Sequence, residues 1–188
     1  MPRQVLILFA HPALEKSRAN RRLLRSAEGL EGVTLRDLYE DYPDFLIDVP
    51  REQEDLKRHD VILFQHPFFW YSSPALIKEW LDLVLTYGFA YGPDATALMG
   101  KCVLSVITAG GPADAYTPEG YNHFSVRQLL APFEQTARLC GMKYLDPFVI
   151  HDANELSDTA LDEAALAYRE LLIALRDAPN PTELKTSR

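Results

Sequence analysis

The sequence predicts an α/β fold built on a doubly wound, five-stranded parallel sheet of order 2-1-3-4-5, and three observations predict it. Apolar runs of strand length, VLILFA from Val5 to Ala10, DVILFQ from Asp60 to Gln65 and CVLSVIT from Cys102 to Thr108, are hydrophobic without alternation, as strands covered on both faces are. Amphipathic helical segments separate them, so that right-handed crossovers would lay the strands parallel. The first two runs end in His-Pro and the third is followed by Gly-Gly, residues that turn a chain out of a sheet.

The elements follow in order. After the first strand and a polar loop, Ser17 can cap a helix with apolar positions Ala19, Leu23, Leu24 and Ala27, which Gly29 stops. Val33 to Leu38 alternates, as an edge-ward strand would. Residues 39–50, rich in acids and proline, read as surface loop, and Arg51 to Arg58 as a short polar helix. Beyond the second apolar strand, Ser73 is expected to cap a helix with Pro74 in its first turn, continuing as ALIKEWLDLVL. A helix is expected from about Ser125 to Leu139, a fifth strand from Tyr144 to Ile150, and a last amphipathic helix from Asp158 to Leu175. Residues 1–176 then form one domain, and 177–188 a frayed polar tail.

Composition narrows the function. The 188 residues, 47% of them hydrophobic, suffice for a core that needs neither disulfide nor structural metal. Cys102 and Cys140 lie in apolar stretches without metal-ligand spacing, so both read as buried thiols and no metal site is expected. The N-terminus lacks a signal-peptide pattern and no segment is long and apolar enough to span a bilayer, which together point to the cytoplasm. The net charge of −8 argues against a nucleic-acid surface.

In an open doubly wound sheet the ligand sits beyond the carboxyl ends of the central strands. Three unusual loops leave those ends. Ser17-Arg18-Ala19-Asn20 opens a helix, where free backbone N–H groups and the helix dipole favour an anion such as phosphate; an ordinary serine cap is the alternative. Arg18 or Arg21 could add a positive charge. His11 could donate to the same anion or be tied to a backbone carbonyl. Without GxGxxG or a Walker lysine, a mononucleotide fits better than a dinucleotide or ATP. Pro67-Phe68-Phe69-Trp70-Tyr71 offers aromatic surface for a flat ring, or buries its side chains in a core or dimer interface. Thr108-Ala109-Gly110-Gly111 lets backbone donors approach a ring closely.

LFAHP at 8–12, SRAN at 17–20, QHPFFWYSSPALIKEWLDLVL at 65–85, GFAYG at 88–92 and TAGG at 108–111 together resemble the NAD(P)H:quinone oxidoreductase family of flavodoxin-like proteins. DLYEDYPDFLIDVPREQ, from Asp37 to Gln53, is similar to its short bacterial branch, the ancillary reductases of glutathione-gated potassium efflux systems. The resemblance runs in order from Val5 to about Ile150. It implies FMN contacts at His11, at Ser17, Arg18, Ala19 and Asn20, at Phe68, Phe69, Trp70 and Tyr71, and at Thr108, Ala109, Gly110 and Gly111. Ala109 stands where relatives often carry threonine.

The same resemblance implies FMN in preference to FAD, because the FAD-using relatives are longer. It implies NAD(P)H as co-substrate in a ping-pong hydride transfer to quinone-like acceptors, a homodimer, and a potassium efflux antiporter as partner at the inner face of the membrane. Tyr116 falls where the larger family members place a tyrosine that stabilises reduced flavin, and Gly120 also aligns. The accompanying histidine is matched by Asn122, with His123 one residue on. A regulatory role on the antiporter and azo- or nitro-reduction are the other readings, and the acidic stretch from Tyr39 to Asp48 is a candidate contact surface for the antiporter.

Overall fold

The computed structural model describes residues 2–184. Its core is a parallel sheet of β1 (Val5–Phe9), β2 (Val33–Asp37), β3 (Val61–Pro67), β4 (Cys102–Thr108), β5 (Lys143–Tyr144) and β6 (Phe148–Ile150), in the order β2-β1-β3-β4-β5 with β6 also on β4. The expected order 2-1-3-4-5 is the one observed. Around the sheet lie α1 (Arg18–Ala27), α2 (Leu38–Asp41), α3 (Val49–Arg58), α4 (Ala75–Val84), α5 (Val126–Leu129), α6 (Ala131–Leu139) and α7 (Asp158–Asp177).

The unalternating strands are apolar because both faces are covered. On one face Leu6, Leu8, Ile62, Phe64 and Ile107 meet Leu56 of α3, Leu76, Ile77 and Trp80 of α4, and Phe133 of α6. On the other, Val5, Ile7, Phe9, Leu63 and Val106 meet Leu23 and Leu24 of α1 and Leu161, Tyr168 and Leu172 of α7. Cys102 and Cys140 are buried free thiols on opposite faces.

Several boundaries differ from the sequence reading, each for a local reason. The fifth strand is two short strands: Cys102 pairs with Lys143, but Val106 pairs with Phe148, so one extra residue is accommodated around Pro147. This bulge turns Phe148 and Ile150 onto the same face as Leu145, where all three are buried. The helix expected from 125 to 139 breaks at Leu130, because Pro132 has no N–H and its ring would meet the carbonyl four residues back. Ser73 does not cap α4; Pro74 occupies the cap position and no side chain serves there. The stretch 39–50 is not all loop: Asp37 caps α2, and Asp48 caps α3 two residues ahead of the expected start. Asp177 ends α7, Arg3 donates to the carbonyls of Ala178 and Pro179, and Pro181 is buried; residues 185–188 of the expected tail lie outside the described residues.

A buried ionic cluster anchors this acidic region. Glu52 is fully buried and accepts hydrogen bonds from Arg36 (2.9 Å), the Tyr42 hydroxyl (2.7 Å) and the Trp80 indole (2.8 Å), while Arg36 also reaches Asp41 and Asp55. Removing the carboxylate strands three buried donors. Glu52→Ala is expected to lower the unfolding free energy by about 3 kcal/mol or more, measured by urea titration; a loss under about 1 kcal/mol would mean that the donors find water.

At the end of β3, His66 is buried, stacks on Phe133 with ring centroids 5.7 Å apart, and has its Nδ1 2.9 Å from the Pro67 carbonyl. Burial pushes its pKa down to about 4. The unfolded chain therefore binds the proton first as pH falls. This contribution to stability is complete above about pH 6.5, is lost as pH drops towards 4, and levels off below that. His66→Asn should remove up to about 3 kcal/mol of the acid-side slope in unfolding free energy; an unchanged slope would locate the effect in other groups.

Candidate functional site

The loops after β1, β3 and β4, with residues 153–154 beyond β6, enclose a cleft of about 830 Å³. Of the expected positions, His11, Ser17, Arg18, Ala19, Phe68, Phe69, Trp70, Thr108 and Gly110 line it. Asn20, Tyr71, Ala109, Gly111, Tyr116 and His123 do not. Lys16, Ala153 and Asn154 line it without having been singled out in the sequence. The signal for the last two was topological: the strand beyond β4 ends at the same edge, so its loop reaches the same place.

The first loop is tied to the third by a buried asparagine. Ser17 Oγ accepts from the Asn20 backbone N–H (3.1 Å), and Asn20 Nδ2 donates to Ser17 Oγ (3.2 Å) and Thr108 Oγ1 (3.0 Å). Asn20 is fully buried and its Oδ1 has no partner among the described residues. The N–H groups of Arg18 and Ala19 open α1 without a protein acceptor among the described residues. His11 Nδ1 accepts from the Ala13 N–H at 3.1 Å, so the imidazole is bound as an acceptor and, when neutral, keeps its proton on Nε2. Burial lowers its pKa against a weaker opposing effect of Glu15.

The second loop is conformationally strained. Phe68 is buried, but Trp70 is 93% exposed, and Trp70 and Tyr71 have φ of 51° and 61°, a region that residues with side chains seldom occupy. The Phe69 N–H closes a tight turn on the Pro67 carbonyl at 3.0 Å. Those of Trp70 and Tyr71 have no acceptor among the described residues. The Tyr71 hydroxyl donates to Asn122 Oδ1 at 3.1 Å.

In the third loop, Ala109 is buried and its N–H is committed to the Ile150 carbonyl at 2.8 Å, so its backbone donor faces the sheet rather than the cleft. The N–H groups of Gly110 and Gly111 are unpaired among the described residues. Tyr116 covers Gly111, where a Cβ would meet the phenol ring at 3.5 Å, and packs against Phe68. Burial raises its pKa, which keeps the hydroxyl protonated. Gly120 supports this turn, because a Cβ there would lie 2.1 Å from the Asp114 carbonyl oxygen. His123 is not brought to Tyr116: it is exposed, and its ring lies 3.5 Å from the Pro118 carbonyl. The histidine beside Tyr116 is His151, with ring centroids 5.5 Å apart.

A model of proteins with a flavodoxin-like fold matches residues 3–172. The glutathione-regulated potassium-efflux system ancillary protein KefG of Pectobacterium carotovorum is 50% identical over 171 residues, covering 91% of this chain and 93% of that one. Among solved structures, general stress protein 14 of Treponema denticola in complex with FMN superposes with a TM-score of 0.88 at 36% identity, over 92% of this chain and 99% of that one. An NADPH-quinone reductase from P. pentosaceus does so with a TM-score of 0.82 at 32% identity, over 89% and 96%. Sheet order and sequence agree over almost the whole chain, and it belongs to the flavodoxin-like family that includes these ancillary proteins.

Proposed function

We propose that the chain is an FMN-dependent NAD(P)H:quinone oxidoreductase. The observation that carries this reading is the set of unpaired backbone donors, in pairs at Arg18 and Ala19, Trp70 and Tyr71, and Gly110 and Gly111, on the loops that enclose one cleft. The absence of a Cβ at Gly110 fits the same group, and the FMN bound by the Treponema denticola protein supports it.

FMN, when bound, would supply the two-electron chemistry that accepts hydride from NAD(P)H and delivers it to a quinone-like acceptor. The protein's own part is placement and electrostatics. The first turn of α1 receives the phosphate with the Arg18 and Ala19 N–H groups, and His11 offers an Nε2 donor. Trp70 gives the ring an apolar face. The free N–H groups of Gly110 and Gly111 would help hold the ring and stabilise its reduced form, and the protonated Tyr116 hydroxyl, packed over Gly111, would be a further donor. The exposed Trp70, Tyr71, Tyr121 and Phe124 form an aromatic surface that a second copy would cover in a homodimer.

A second reading, regulation of a potassium efflux antiporter, is favoured by the name of the 50% identical relative. Leu46, 77% exposed between the carboxylates of Asp44 and Asp48, offers a contact surface for it. Azo- or nitro-reduction would use the same cleft with another flat acceptor. The compartment proposed is the cytoplasm; no helix among the described residues is long and apolar enough to cross a membrane.

The purified protein is expected to be yellow, to release FMN on denaturation, and to bleach with NAD(P)H and recover with a quinone in the absence of oxygen. Tyr116→Phe should lower kcat by about tenfold or more, and Trp70→Ala should raise KM for both substrates. A colourless protein that takes up no flavin contradicts the reading. Antiporter activation that survives both substitutions would separate the regulatory role from turnover.

A further inference from the structure

Lys16, Arg18 and Arg21 stand together at the start of α1, and their side-chain contacts sort them. Arg18 is committed elsewhere: its Nη1 donates to the Leu156 carbonyl at 3.1 Å and its Nη2 to Asp158 at 2.8 Å. Asp158 also pairs with Arg22, at 2.9 Å, so Arg18 belongs to an ionic seam between α1 and α7. Arg21 turns back, its Nε donating to the Ser17 carbonyl at 3.1 Å. Lys16 lines the cleft one residue before the cap, and its ammonium has no partner among the described residues.

The fully buried Asn20 shapes the wall beside it, its Nδ2 fixing Ser17 Oγ and Thr108 Oγ1, two residues that line the cleft. Backbone N–H groups at the start of α1 can bind an anion but carry only partial charge, so a dianionic monoester still calls for a mobile full charge. A lysine on the loop meets that need, whereas an arginine held by a carboxylate brings little net charge with it.

We propose that Lys16 is the cation that pairs with the phosphate monoester of the cofactor, and that the Arg18 side chain is a strut between α1 and α7 and makes no contact with that phosphate. This rests on the FMN reading and deepens it, by naming the residue that separates FMN from riboflavin.

The test is fluorescence titration of the flavin-stripped protein with FMN and with riboflavin, in low and high salt. Lys16→Gln should weaken FMN binding roughly tenfold and leave riboflavin unchanged; Lys16→Arg should restore the preference. The wild-type preference for FMN should shrink with salt more steeply than that of Lys16→Gln. Arg18→Gln should lower the thermal midpoint and leave the ratio of the two affinities within about twofold of wild type. The assignment is overturned if Lys16→Gln keeps the wild-type ratio, if Arg18→Gln abolishes it, or if the wild type binds both flavins equally, an outcome that leaves flavin binding itself standing. A wild type that binds neither flavin removes the FMN reading as well.

Discussion

In a parallel sheet every loop that follows a strand leaves from the same edge, and everything distinctive about this molecule follows from that constraint. β1, β3 and β4 are adjacent and in register, so three loops far apart in sequence converge on one cleft. The strands end there; the first N–H beyond each still reaches a neighbouring strand, at Ala10, Phe68 and Ala109, but those of Trp70, Tyr71, Gly110 and Gly111 have no acceptor among the described residues. Such donors are costly to leave buried and dry, so they remain stable only beside water or a ligand rich in acceptors. Asn20, bridging the first turn of α1 to Thr108, holds two of the three loops together through one buried side chain.

Strain at the aromatic loop fits the same picture. Trp70 and Tyr71 both adopt positive φ, and Trp70 stands almost wholly in solvent. Neither feature stabilises the isolated chain. Trp70 lines the cleft and the N–H groups of both residues have no acceptor among the described residues, and local strain of this kind clusters at binding sites. The opposite end of the stability scale is the Glu52 cluster, where buried donors are fully matched and fix the acidic segment after β2 against α3 and α4.

Much of this was legible in the sequence because it depends on pattern. Unalternating runs such as VLILFA and CVLSVIT report two covered faces, and their endings place the loops. Ser17 was readable as a cap because capping is local. What could not be read depends on contacts between distant residues: the bulge around Pro147, set by pairing with β4; the commitment of the Ala109 N–H to Ile150; and the contact of His151 with Tyr116. The same holds for charge. Arg18, Arg21 and Lys16 look equivalent along the chain, and their contacts distinguish them: Arg18 is held by Leu156 and Asp158, Arg21 by the Ser17 carbonyl, and Lys16 lines the cleft.

The central claim is that the unpaired backbone donors of the three loops hold the cofactor. Amide NMR of uniformly labelled protein titrated with FMN tests it directly. The account predicts that the largest shifts and the strongest new protection from exchange fall on the amides of Arg18, Ala19, Trp70, Tyr71, Gly110 and Gly111. Shifts centred away from these loops, or saturating FMN that leaves them unmoved, would contradict it.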